Sequence, residues 1–367
     1  MQKSLMEGLT EKDMQAVINT YALKDYYYPT LFPIEKNLSF TWKTLAAQTG
    51  LKIAADIVAR GSSIDRKTRE AITRIEGDIP KIAIARTMEE DELNEYYIKL
   101  NLAQGQSDLQ SLVKIWADDM KFCWDGVAAK LEWMALSQIS KGKLTITAAD
   151  NMRVISEFNA DYEIPTAQKV GYQNGSSSWA TAATAKPITV DLKYIVAAAR
   201  ALGFAPKRLY MNMTTFANFA QTDEVIKLCA GYAQNTLSIA QTPDLATINA
   251  TFLRIPYLYG IQLSSIDQDI TIEGKDGTRT TANPFADNVI LLTEEGALGK
   301  TYYVEPVDLR LQGSAALKVM NGHTLIKKYS EENPIKEITQ GIANAFPAWN
   351  NSHRVMLMDT THSTWQY

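Results

Sequence analysis

Between Asp108 and about Ser140 the chain carries the longest regular pattern in its sequence. Leu109, Leu112, Trp116, Met120, Cys123, Val127, Leu131 and Met134 recur at spacings of three and four, which sets them on one face of a helix. At about 1.5 Å per residue that helix is ~50 Å long. Ile115, Phe122, Trp133 and Leu136 widen its apolar surface, so it packs on more than one side. A two-stranded coiled coil is the competing arrangement, but bulky Trp on several faces and the lack of sustained charged flanks weigh against it. The rest of the chain has to be arranged along this spine, with Leu109, Leu112, Trp116, Met120, Val127 and Leu131 as its expected core.

The segments before the spine are read from their punctuation. Thr87-Met88-Glu89-Glu90 has the form of a capping box and predicts a helix start. A second box, Ser107 with Gln110, follows the pause at Gln104-Gly105-Gln106. From Leu38 to Arg86 the sequence favours extended structure broken at Gly50, Gly61 and Gly77, with a charged stretch from Arg60 to Glu70. That describes a long β-hairpin, residues 38–86, which cannot bury both faces within its own subunit. On the residues alone an ordinary surface hairpin is the simpler reading. Residues 1–37 begin with a short helix, Thr10 as cap and Met14, Val17, Ile18 and Tyr21 as its stripe. Tyr26-Tyr27-Tyr28-Pro29 and Phe32-Pro33 then force extended geometry. The expectation is an arm whose aromatics are buried by a neighbour.

After the spine, 143–185 is mixed, with a polar loop at Gln173-Asn174-Gly175-Ser176-Ser177-Ser178. From Thr189 helices and strands alternate: 191–203 as a helix ended by Gly203, 208–212 as a strand, then a helix capped by Thr214 and reaching to 230. This predicts a second, α/β lobe over about 189–300. Strands at 260–267, 288–293 and 300–306 lead back towards the first lobe. From Asn333 no clear period appears until Arg354-Val355-Met356-Leu357-Met358-Asp359.

With 367 residues, 46% of them hydrophobic and 21% charged, the chain can fill two lobes, and global disorder is excluded. A net charge of −4 argues against a protein that wraps DNA on a broadly basic surface. Cys123 and Cys229 sit in apolar helical context and are expected as buried, reduced thiols, without disulfide or zinc spacing. The opening residues lack the layout of a signal peptide, and no apolar run reaches the ~20 residues of a membrane span.

Catalytic chemistry is thinly provided for. His323, His353 and His362 are the only histidines, and His353 and His362 are too far apart for a helical or hairpin metal pair. Neither a P-loop, a dinucleotide fingerprint nor a GxSxG elbow occurs. The aromatics are scattered instead of interleaved with cations, so packing is a better account of them than base stacking. No catalytic residue, cofactor or metal is expected.

Three stretches in order carry a resemblance. Asp56-Ile57-Val58-Ala59-Arg60-Gly61 leads through basic residues to Ile79-Pro80-Lys81-Ile82 and Arg86-Thr87-Met88-Glu89-Glu90-Asp91-Glu92-Leu93; Tyr210-Met211-Asn212 and Phe216 lie in a helix–strand–helix unit; and Asn283-Pro284-Phe285-Ala286-Asp287-Asn288-Val289-Ile290-Leu291-Leu292 precedes Gly296-Ala297-Leu298-Gly299-Lys300-Thr301-Tyr302-Tyr303. Together these resemble the lambda-type major capsid protein family (major capsid protein E) of tailed bacteriophages, over residues about 38–310. The resemblance implies an α+β fold of the Hong Kong-97 type: N-terminal arm, extended β-hairpin loop, peripheral domain at 87–188 with the spine helix, α/β axial domain at 189–300, and 301–367 returning to the peripheral domain. It implies a structural subunit that assembles with itself into pentamers and hexamers of an icosahedral shell enclosing double-stranded DNA without sequence-specific binding. Separate scaffolding and portal proteins are the further partners it implies, decoration proteins an optional addition, with a virion capsid location after assembly in the bacterial cytoplasm. Relatives with a long N-terminal scaffolding segment differ from this chain, so the scaffold is expected as a separate protein or the chain as a processed form. A nanocompartment shell of the encapsulin type, enclosing cargo protein, shares the fold and is the alternative.

Two charge runs complete the reading. Arg60, Arg66, Lys67, Arg69 and Arg74 stand against Asp65 and Glu70, net +3, while Glu89, Glu90, Asp91, Glu92 and Glu95 give net −5 over 87–95. In the family arrangement the loop of one subunit lies over its neighbour, so the basic run is expected to dock on the acidic run of a second copy. As solvated faces, such pairs would be worth only about 0–1 kcal/mol each.

Overall fold

In the computed structural model the spine helix spans Gln106–Lys141, 36 residues. The structure describes residues 3–6, 9–47, 72–102, 106–146, 158–230, 241–273, 277–311 and 315–367; side chains at 45–47, 72–74 and 106–113 are outside the description. The chain divides into two units: Met1–Trp42 with Glu76–Ala135 and Gly299–Ala348, and Lys43–Ile75 with Leu136–Leu298 and Trp349–Tyr367.

The first unit is built on a six-stranded sheet. Its order is Ile34–Lys36, Gly299–Val304, Ile335–Trp349, Thr324–Glu332 and Leu317–Asn321, with Lys81–Met88 also paired to Ile335–Trp349. The strand Ile335–Trp349 lies where no period was visible, and nearly all of it is buried. A strand covered on both faces shows no polar–apolar alternation, which is why its sequence reads as featureless. The hairpin Leu317–Asn321 with Thr324–Glu332 was likewise not anticipated. Lys81–Met88 was expected to belong to the long hairpin; it leaves that hairpin at Pro80 and pairs antiparallel with 337–344. What remains is a stem, Thr41–Ala47 paired with Ile72–Asp78. The expected strand 51–61 and the charged stretch Arg60–Glu70 lie outside the described residues.

The spine helix packs on this sheet at very short range. A Cβ at Gly341 would meet the Cys123 carbonyl at 2.6 Å, and one at Gly126 would meet Ile84 at 2.5 Å. Glycine on each side of the contact lets backbone and strand approach, and the Cys123 thiol donates to the Thr339 carbonyl at 3.3 Å.

Residues 3–33 correct the arm expectation. Met6, Leu9, Met14 and Ile18 join one core cluster with Leu93, Tyr96, Trp116, Met120 and Ile326 of their own chain, and Tyr28, Leu31 and Phe32 are buried as well. Thr10 does cap the helix Glu11–Ile18, in a capping box with Asp13. That helix ends at Asn19, ten residues before Pro29, and Pro29 opens a one-turn helix Tyr28–Leu31 instead of forcing extended backbone; the aromatics here are anchored within their own chain by polar contacts described below.

The second unit holds a five-stranded mixed sheet, ordered Lys169–Gly171, Val355–Asp359, Val289–Thr293, Arg208–Asn212 and Gln262–Ile266. The last strand therefore joins this sheet, paired with Val289–Thr293 and Lys169–Gly171; residues 301–367 do not return as one piece to the first unit. Its two central strands are buried throughout. The helix expected at 191–203 is a π-turn, Pro187–Leu192, followed by Lys193–Ala201, and Gly203 takes φ +87° just beyond it. Thr214 does not cap the next helix. Asn212 does, its side chain accepting the Thr215 N–H, and that helix stops at Ala220 before a second one, Asp223–Cys229. Cys123 is buried, Cys229 only half-buried, and both are free. The polar loop 173–178 is not a loose surface segment: buried Asp191 accepts from the Gln173 N–H, the Ser176 hydroxyl and the Trp179 indole, each at 2.8 Å.

Candidate functional site

The acidic run sits on helix Glu90–Leu102, which starts directly after Lys81–Met88. Glu89 is its cap: the Glu89 carbonyl accepts the Leu93 N–H at 2.9 Å, and the Glu89 N–H donates to the Glu92 carboxylate at 3.1 Å. Thr87, the expected cap, is still in the sheet opposite Ile338, so the helix begins later than the sequence pattern implied. Leu93 and Tyr96 turn inward, while Glu89, Glu90, Asp91 and Glu92 are exposed. Carboxylates here are favoured by the free amides of the first turn. Glu95 pairs with Lys99 at 3.7 Å in an exposed i,i+4 contact, worth a few tenths of a kcal/mol at ~0.3–0.5.

Arg60, Arg66, Lys67 and Arg69 lie outside the described residues, and of Arg74 only the backbone, in strand Ile72–Asp78, is described. Pairing of the two runs therefore stays an expectation. Of the spine-core positions, Trp116, Met120, Val127 and Leu131 are buried; the Leu109 and Leu112 side chains lie outside the description.

Sequence reading missed two buried polar centres in the first unit. In one, the Glu132 carboxylate of the spine helix accepts the Tyr27 and Tyr28 amide N–H groups at 2.9 and 2.7 Å. The Tyr28 hydroxyl meets His323 Nε2 at 3.3 Å, in an edge-on contact of the two rings. Burial lifts the Glu132 carboxyl to about 7 against the pull of both amides, and burial lowers His323 to about 4. In the other, Lys328 and Glu337, both without exposure, face each other at 3.9 Å, and Lys328 also donates to the Thr339 hydroxyl at 2.9 Å. Glu337 accepts in addition from the Ser4 hydroxyl and, at 3.0 Å, from the Leu5 N–H. Burial raises the Glu337 carboxyl and lowers the Lys328 amine. Both centres clasp the N-terminal segment to its own chain. The only signal in sequence was a charge on an otherwise apolar face, as at Glu132 between Leu131 and Trp133.

His323 in the first unit and His353 in the second are buried, while His362, also in the second unit, is exposed with its Nδ1 2.9 Å from Asp359. Among the described residues no group of three His, Cys, Asp or Glu side chains could hold a metal ion. No described helix is long and apolar enough to cross a membrane. The exposed acidic run on helix Glu90–Leu102 is the charged surface that the geometry offers.

The sequence model of phage major capsid protein E matches residues 11–351. No curated protein matches the chain. The fold is similar to that of a protein assigned to the capsid of a prophage in E. coli CFT073, with 15% identity, TM-score 0.58, and coverage of 96% of this chain and 99% of that one. It is also similar to a phage-related protein of Bordetella bronchiseptica RB50, with 13% identity, TM-score 0.53, and coverage of 96% and 97%.

Proposed function

The chain belongs to the phage major capsid protein E family, and from that premise we propose that its copies, grouped as pentamers and hexamers, close an icosahedral shell around double-stranded DNA. Its role is structural, as a subunit of the virion capsid. The observation that carries the reading is the family match itself, which runs through segments of both units. In this reading the first unit is the peripheral domain and the second the axial domain. DNA is held by enclosure: with a net charge of −4 the subunit has little general attraction for phosphate. Scaffolding and portal proteins act as separate partners, with decoration proteins optional. The basic segment Arg60, Arg66, Lys67, Arg69 and Arg74 docks on Glu89, Glu90, Asp91 and Glu92 of a second copy, where charge pairs fix register more than they add affinity.

Electron microscopy of the purified full chain, with assay of nuclease-protected DNA in particles from infected cells, tests the reading. Icosahedral particles holding DNA are expected. Small shells filled with a cargo protein would favour a nanocompartment, and a chain that stays monomeric under all assembly conditions would overturn the proposal.

A further inference from the structure

Five apolar side chains of the first unit are exposed on segments that the backbone links to one another. Leu38 is 93% exposed, Val307 67% and Leu311 57%, with Phe40 and Leu309 also open. The backbone gathers them. Ile34–Lys36 runs parallel to Gly299–Val304, the Asn37 N–H donates to the Tyr303 carbonyl at 2.7 Å, and Lys36 pairs with Glu305, which carries Leu38 towards Val307. The Ile79 N–H donates to the Phe40 carbonyl at 2.7 Å, and Lys81, two residues on, reaches Asp308 at 3.6 Å. That brings Phe40 to the turn Val307–Arg310. The turn is held firmly: Asp308 also contacts buried Lys327 at 3.4 Å, and Lys318 Nζ donates to the Leu311 carbonyl at 2.9 Å. A fixed apolar patch with a polar border is the usual mark of an interaction site. The border is net cationic: Lys36, Lys81 and Arg310 surround Glu305 and Asp308, and Arg310, 3.7 Å from Glu305, keeps its side chain 74% exposed.

A second face of the same unit has the opposite border. On helix Glu90–Leu102, Asp91, Glu95, Ile98 and Leu102 fall at spacings of four, three and four, so they form one stripe, opposite the buried Leu93 and Tyr96. All four are exposed, Leu102 to 69%. The stripe is acidic at its start and apolar at its end.

We propose that the Leu38, Val307 and Leu311 patch of one copy receives the Ile98 and Leu102 end of this helix from a second copy, with Arg310 facing Glu95. The proposal rests on the shell reading and names one contact within it. Patch and stripe are different surfaces, so each copy offers both and the contact passes from copy to copy; a heterologous interface of this kind closes into a ring at a suitable rotation. Opposite borders set partner and register, while the apolar centre excludes water. The acidic start of the same helix remains open to the basic segment of the loop.

Two single-cysteine chains test it, Leu311→Cys and Leu102→Cys, each in a Cys229→Ser background because Cys229 is half-exposed. Particles assembled from their mixture and oxidised are expected to give disulfide-linked dimers at least tenfold above particles of either chain alone. Particles that form from the mixture without that excess overturn the contact and leave the shell reading standing. Failure of the wild-type chain to form particles at all removes the shell reading and the contact with it. As a second arm, Val307→Asp with Leu311→Asp is expected to cut particle yield at least tenfold with an unchanged circular dichroism melt, and normal yield would overturn the proposal.

Discussion

The Glu132 carboxylate, towards the C-terminal end of the spine helix, accepts the Tyr28 amide N–H at 2.7 Å from 104 residues away in sequence. With the Tyr27 amide on its other oxygen, this buried group fixes the point where the N-terminal segment enters the first unit. Tyr28 and Phe32 are thereby core side chains of their own subunit, with Tyr26 and Tyr27 half-buried beside them.

A pH dependence follows from that contact. Burial sets Glu132 at about 7, above its unfolded value, so through the window up to 7 the folded chain holds a proton that the unfolded chain has released. Stability from this group is therefore lost as pH rises through the window, by at most roughly 3 kcal/mol. His323 runs the other way: lowered to about 4 by burial, it costs stability as pH falls below its ordinary value. Glu132→Gln removes the first effect and keeps the second. The melting temperature of the variant relative to wild type is expected to rise from pH 5 to about pH 7 and to level off above it; parallel curves would show that folding does not raise the Glu132 pKa.

Leu131→Ala empties a fully buried site on the spine and is expected to cost about 2–5 kcal/mol, with Trp116→Ala at about 3–5. Urea titration of the soluble subunit measures both. A loss under 1 kcal/mol at either position would mean that the buried face of the helix is placed wrongly.

Lys328 and Glu337 should behave as a unit. Lys328→Met alone leaves a buried carboxylate without its cation and is expected to destabilise by about 3–5 kcal/mol, while adding Glu337→Leu should recover most of that. Equal destabilisation by the single and the double variant would refute the coupling. Because Glu337 also holds Ser4 and Leu5, the double variant, which loses it, should speed proteolysis near the N-terminus.

Reversal of charge tests docking of the loop. Arg66→Glu with Arg69→Glu is expected to block particle formation while the subunit stays folded, and Glu90→Lys with Glu92→Lys in the same chain should restore part of it. Normal assembly of the loop variant at physiological salt would rule the docking out; failure without rescue would name the wrong acidic partner.

By itself the sequence determined the spine helix, the acidic helix before it, and the strands around Tyr210, Leu291 and Leu357. Each announces itself within about ten to thirty residues, because a helical or strand period is a local property of side-chain direction. Tertiary structure alone decided the 15-residue strand Ile335–Trp349, whose two covered faces erase any alternation. It alone turned residues 3–33 from an arm into part of a core, and placed Glu132, Lys328 and Glu337 in the interior. A buried charge is tolerable only where its partners converge, and these partners come from as far as 333 residues away, as Ser4 does to Glu337. The exposed stripe of helix Glu90–Leu102 and the patch at Leu38 and Val307 became visible only when burial had divided the apolar side chains into those the fold uses and those it leaves in water.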